Sequence, residues 1–204
     1  QTTMAVAAPT QIELSESNMI QVERQIHAIE VFNGDPNTLY TFISRIDFIL
    51  ALYQTTDERQ KLIIFGHIER NISGDVIRTL GVTNLSSWIE LRTQLILNYK
   101  PQTPNHQLLE EFRNTQYRGN IRHFLEEAER KRQILISKLE LENNTNETIL
   151  YTRLIQTSIE NLIQKLPSHI YLRIINCNIP NLRSLINILQ EKGLYEAPTS
   201  SKDN

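Results

Sequence analysis

A single cysteine, Cys177, occurs in the 204 residues of this chain, which excludes an intrachain disulfide and any metal centre built on cysteine. Nothing cationic stands beside it in sequence to activate the thiol, so its expected role is that of a small buried hydrophobe. Glycine is scarce too: six residues, widely dispersed, supply no loop to cradle a phosphate. Neither sign of charge prevails, because 21 basic residues face 23 acidic ones and leave a net charge of -2. Phosphate backbones are held by clustered Lys and Arg, so this balance argues against direct nucleic-acid binding. No apolar run approaches the roughly 20 residues that cross a bilayer, which argues against a membrane partner. Gln1 to Pro9 lack the basic start and apolar stretch of a secretory signal, and these absences together predict an intracellular, cytoplasmic protein. The opening Gln1, in place of Met, is the start expected of a fragment or processed product.

Chemistry is missing as well. The five histidines (His27, His67, His106, His123 and His169) are scattered and lack the i, i+4 spacing of a helical zinc pair. No nucleophile, base or acid pair can be assembled from the pattern. The expectation is therefore no catalytic residue, no cofactor and no metal. Sequons at Asn71, Asn84, Asn143 and Asn146 are read as chance in an Asn-rich chain.

What is present is helical periodicity almost throughout, with 40% hydrophobic and 22% charged residues, as in an ordinary globular protein. Asp35 caps and Pro36 opens a helix to about Tyr53, along which Leu39, Phe42, Ile43, Ile46, Leu50 and Tyr53 recur at three- and four-residue steps. A weaker stripe predicts an earlier helix over 15–28, capped by Ser15 or Ser17. Thr55–Asp57 caps a helix carried by Leu62, Ile63, Phe65 and Ile68 to about Asn71; Ser73–Leu80, ended by Gly81, is a short one. Ser86 and Ser87 cap another, with Trp88, Leu91, Leu95 and Tyr99 on one side.

Pro101-Gln-Thr-Pro104 interrupts the series and predicts a connector. Beyond it come a short helix around Leu108, Leu109 and Phe112, then a long one from Gly119 with Ile121, Phe124, Leu125, Ala128, Leu135 and Leu139 on one face. Its other face carries Glu126, Glu127, Glu129, Arg130, Lys131 and Arg132; the pairs Glu126–Arg130 and Glu127–Lys131 mark a solvated face, not a nucleic-acid patch. After the polar loop 142–146, a helix capped by Thr145 or Asn146 runs to Leu166, where Pro167 stops it; Ser168 then caps a short helix through Cys177. Asn181 starts a last helix closed by Gly193, and 196–204 read as a disordered tail. No alternating strand pattern occurs. The fold class is all-α: two small helical lobes, 30–100 and 105–195, joined by the linker 101–104, after a partly helical extension over 1–29.

Val31-Phe32 entering the Gly34 turn before Asp35-Pro36 resembles the start of the capsid domain in Gag polyproteins of gypsy-type LTR retrotransposons and their domesticated, Arc-like relatives. Gly119-Asn-Ile-Arg-His-Phe-Leu-Glu is similar to the opening helix of such a capsid's C-terminal lobe, and Ile163-Gln-Lys-Leu-Pro167 followed by the helix Leu182–Leu189 is similar to that lobe's ending. The resemblance covers about 30–195 as an ordered series, without the Cys/His zinc knuckle or the protease triplet found elsewhere in such polyproteins. It implies a capsid that self-assembles as a homo-oligomeric, virus-like shell, or an adaptor that binds a partner peptide. Surplus apolar positions agree: Phe48 and Leu52 on one helix, Leu150 and Leu154 on another, form a candidate assembly interface. Val31 and Phe32 are the candidate peptide groove, by strand addition.

Overall fold

A computed structural model describes residues 10–81 and 85–196; the start Gln1–Pro9, the Asn84 sequon and the tail beyond Glu196 lie outside them. The described residues form eleven helices and no strand, apart from an isolated parallel bridge between Phe32 and Ile72. The fold is all-α. The chain divides between Pro101 and Gln102 into two compact units.

The first unit holds α1 (Glu16–His27), α2 (Pro36–Leu52), α3 (Glu58–Arg70), α4 (Gly74–Leu80) and α5 (Trp88–Tyr99). Short polar side chains start them as expected: Ser15, Asp35, Asp57, Ser73 and Ser87 each accept a bond from an unpaired first-turn amide. Its core comprises the inner face of α2 (Leu39, Phe42, Ile43, Ile46, Ile49), with Val22 and Ile26 of α1, Ile64, Phe65 and Ile68 of α3, and Trp88, Leu91 and Leu95 of α5. Two expectations change here. The weak stripe of α1 is nevertheless a core stripe, since Val22 and Ile26 are fully buried. On α3 the buried set is Ile64, Phe65 and Ile68, while Leu62 and Ile63 face outward: four apolar residues in a row surround the helix, and only packing selects among them.

Polar bonds close this unit. The Asn71 amide donates to the Ile29 carbonyl at 2.9 Å from a buried position, so that sequon residue is a structural tie. Gln60 holds the residues before α1 with a pair of hydrogen bonds to Leu14: its Nε2 donates to the Leu14 carbonyl and its Oε1 accepts from the Leu14 amide, each at 2.9 Å. Asp47 accepts from the Trp88 indole at 2.7 Å and from Arg92 Nε at 3.0 Å, joining α5 to α2.

The second unit holds α6 (Asn105–Arg113), α7 (Ile121–Glu142), α8 (Thr145–Thr157), α9 (Ile159–Ile163), α10 (Ser168–Ile174) and α11 (Leu182–Glu191). Phe112, Phe124, Leu125, Leu135, Leu162, Ile174 and Leu185 lie at the centre of one apolar cluster. Three local expectations are corrected. Asn144, not Thr145 or Asn146, caps α8, because Asn143 takes a left-handed turn (φ 50°) directly after α7 and shortens the loop. The helix expected to reach Leu166 breaks at Ser158, whose hydroxyl donates to the Leu154 carbonyl at 2.6 Å and accepts from Arg113 Nε at 2.8 Å. Pro167, not Ser168, caps α10, which ends at Ile174, so Cys177 lies beyond it and is half-buried, not enclosed.

Candidate functional site

Surface, not cleft chemistry, distinguishes the two units. The phase of α2 is set at its start, where Asp35 Oδ1 accepts the Asn37 amide at 2.9 Å, and the inner face takes every apolar side chain the core accommodates. Phe48 and Leu52, four apart, point away from it and are 63% and 58% exposed. The end of α1 borders Phe48 through Ala28 and Ile29 in a shallow depression of about 300 Å³ but leaves the ring uncovered. On α8, Leu150 is 52% exposed beside exposed Ile149, whereas Leu154 packs partly on the second unit's core. Leu154 is thus less available than Leu150, being half-buried against that core.

Val31 and Phe32 separate in the same way. Val31 is exposed, but Phe32 is 2% exposed and its ring meets Phe42 at 5.6 Å and Tyr99 edge-on at 5.5 Å. Its amide donates to the Asn71 carbonyl at 3.1 Å and its carbonyl accepts the Ser73 amide at 2.9 Å. Phe32 is therefore a core residue with its backbone already paired, not an open edge for strand addition. A real groove of about 510 Å³ lies elsewhere in the first unit, between the Tyr53–Thr56 turn, α3 and the start of α5, with Leu50, Leu62, Phe65, Trp88 and Ile89 in its wall. The signal for it was the excess of apolar residues on α3, where periodicity places Leu62 on the core stripe, and Ile89 standing off the stripe of Trp88, Leu91 and Leu95.

Two further groupings refine the sequence picture. Lys131 pairs with Glu127 at 3.1 Å, as the spacing predicts, but Glu126 pairs with Arg122 at 2.8 Å instead of Arg130. Arg132 makes a forked pair with Glu129, at 2.7 Å for each bond, and the face of α7 is an ion-pair lattice of mixed sign. Two of the five scattered histidines, His27 and His67, meet in space. His27 Nε2 lies 3.3 Å from His67 Nδ1, and Glu23 Oε1 lies 3.9 Å from that same nitrogen. Burial holds the His67 pKa below its ordinary value; Glu23 opposes this, while His27 and Arg70 add to it. The local signal was Glu23 and His27 at i, i+4, with His67 supplied by another helix.

Residues 17–100 match the family described as the retroviral Gag protein N-terminal domain. Over 183 residues, 90% of this chain, the sequence is 67% identical to the retrovirus-related Gag polyprotein from copia-like transposable element 17.6 of Drosophila melanogaster. The likeness is to retrotransposon Gag. A second relative, the Gag polyprotein from transposon 297 of the same fly, is 50% identical over 185 residues, 91% of the chain. The chain spans less than half of each relative, 42% and 45% of their lengths. No solved structure matches it. One expectation is overturned: the relatives bear the names of a copia-like element and of transposon 297, not of a gypsy-type element. The motifs behind that assignment are helix starts and stops, which report a fold and carry no mark of element class. Among the described residues, no helix is long and apolar enough to cross a membrane.

Proposed function

We propose that this chain is the capsid-forming part of a retrotransposon Gag, a structural protein whose copies assemble into an intracellular shell. The observation that carries the reading is the uncovered pair Phe48 and Leu52 on a helix whose other face is fully used by the core. Identity to Gag polyproteins over nine-tenths of the chain supports it, as does the division into two compact helical units. The first unit takes the part of a capsid N-terminal lobe, beginning at α1 as the matched span 17–100 suggests; the second takes the part of the C-terminal lobe, with 101–104 as connector. Each apolar contact is weak alone, but repetition around a closed shell multiplies it. Leu150 offers a second such contact on α8.

Electron microscopy and light scattering at high protein concentration and high salt provide the test. Shells or tubes are expected, and the double substitution Phe48→Asp, Leu52→Asp abolishes them while leaving the helical circular dichroism unchanged. A chain that stays monomeric under all conditions refutes the proposal. A second reading, an Arc-like adaptor that binds a peptide, is favoured by the groove walled by Phe65 and Trp88 rather than by Val31 and Phe32. Peptide-array binding without self-association distinguishes the two.

A further inference from the structure

We propose that Glu23, His27 and His67 form a binding site for a zinc-class transition-metal ion that ties α1 to α3. Glu23 and His27 stand four apart on α1, so their side chains leave the same face, and His67 reaches them from the last turns of α3. The ligand atoms of all three side chains lie within 4.8 Å of one another. His67 Nδ1 is approached at once by a second imidazole nitrogen at 3.3 Å and by a carboxylate oxygen at 3.9 Å. A single shared proton satisfies one of those approaches; a cation at the centre satisfies all three lone pairs.

The spacing suits the ion. Two nitrogens each about 2.0–2.1 Å from a tetrahedral zinc stand about 3.3 Å apart, and the His27–His67 separation is 3.3 Å. Glu23 Oε1 stands 3.9 Å from His67 Nδ1, wider than the separation of about 3.3 Å between ligands of a tetrahedral zinc, and its half-exposed side chain has the freedom to swing inward. Two imidazoles and one carboxylate select zinc, copper, nickel or cobalt over magnesium and calcium, which require oxygen ligands. Water completes the fourth position. Because the ligands belong to two helices, the ion cross-links them and stabilises the folded first unit through mass action.

The test uses the whole 204-residue chain, stripped with a chelator and titrated with ZnCl2 by calorimetry. One ion per chain is expected, with a rise in Tm that the chelator reverses and that MgCl2 does not reproduce. Loss of even a supporting contact around a metal costs roughly 10–100-fold in affinity, so His27→Gln and His67→Gln each weaken binding by at least about tenfold. His27 is exposed, so its substitution leaves the fold intact and keeps the test interpretable. His106→Gln, in the second unit, leaves binding unchanged. Cobalt bound at the site gives the visible absorption of a tetrahedral complex. Absence of a zinc-dependent rise in Tm, or binding that survives His27→Gln at full strength, overturns the proposal.

Discussion

Gly34 shows how much one residue holds. Its φ of +95° lies in the left-handed region, and a Cβ there would meet Tyr99 Cε1 at 3.2 Å and Val76 Cγ2 at 3.3 Å. The turn between Phe32 and α2 therefore needs glycine twice, for its dihedral and for its space. Gly34→Ala is expected to cost about 1–2 kcal/mol from the left-handed penalty alone, read as a lower urea midpoint with an unchanged slope. Glu129 works in the opposite sense to its burial: desolvation pushes its pKa up, but hydrogen bonds from Arg132 and Gln133 prevail and leave it below the usual 4.5. A carboxylate with a depressed folded pKa stabilises the fold above 4.5, and that contribution is lost as the pH falls through the folded value. The stability gap between the native chain and Glu129→Gln is therefore expected at neutral pH and should shrink in acid; denaturant titrations at several pH values measure it. A gap that grows in acid contradicts this.

Polar clamps add to the apolar stripes in fastening the elements of this protein. The residues before α1 are held by Gln60 at Leu14 and by Thr56, whose hydroxyl accepts the Ile12 amide at 2.8 Å. Gln60→Ala removes both bonds to Leu14, and the Leu14 amide should exchange with solvent faster while the α2 amides keep their protection. Equal acceleration throughout the first unit shows instead that α1 and its leader are needed for the whole core. In the second unit, Lys138 reaches the Thr103 carbonyl at 2.5 Å and Glu142 at 3.3 Å, and Asn105 donates to Glu142 and Glu147. Thus α6, α7 and α8 meet in one polar knot beside the connector.

At the scale of the molecule, each unit has its own core, so damage to one core should remain there. Leu135 is fully buried in the second unit, and Leu135→Ala is expected to cost about 2–5 kcal/mol. Hydrogen exchange is expected to show the loss of protection across 102–196 and none across 10–81. Loss of protection in both ranges points to one cooperative fold.

The amino-acid sequence by itself determined most of the helices and many of their starts, because caps such as Asp35, Asp57, Ser87 and Asn181 act within a few residues of the amides they satisfy; the starts at Asn144 and Pro167 and the break at Ser158 it did not determine. It determined the all-α class for the same reason: three- and four-residue periodicity is a local property. It did not determine which apolar side chains remain uncovered. Leu62 and Ile63 look like core residues and face outward, while Leu154 looks surplus and packs partly inward. Nor could spacing along the chain bring His67 to Glu23 and His27. Burial and side-chain convergence depend on which helix lies against which, and that choice is made only when the cores close.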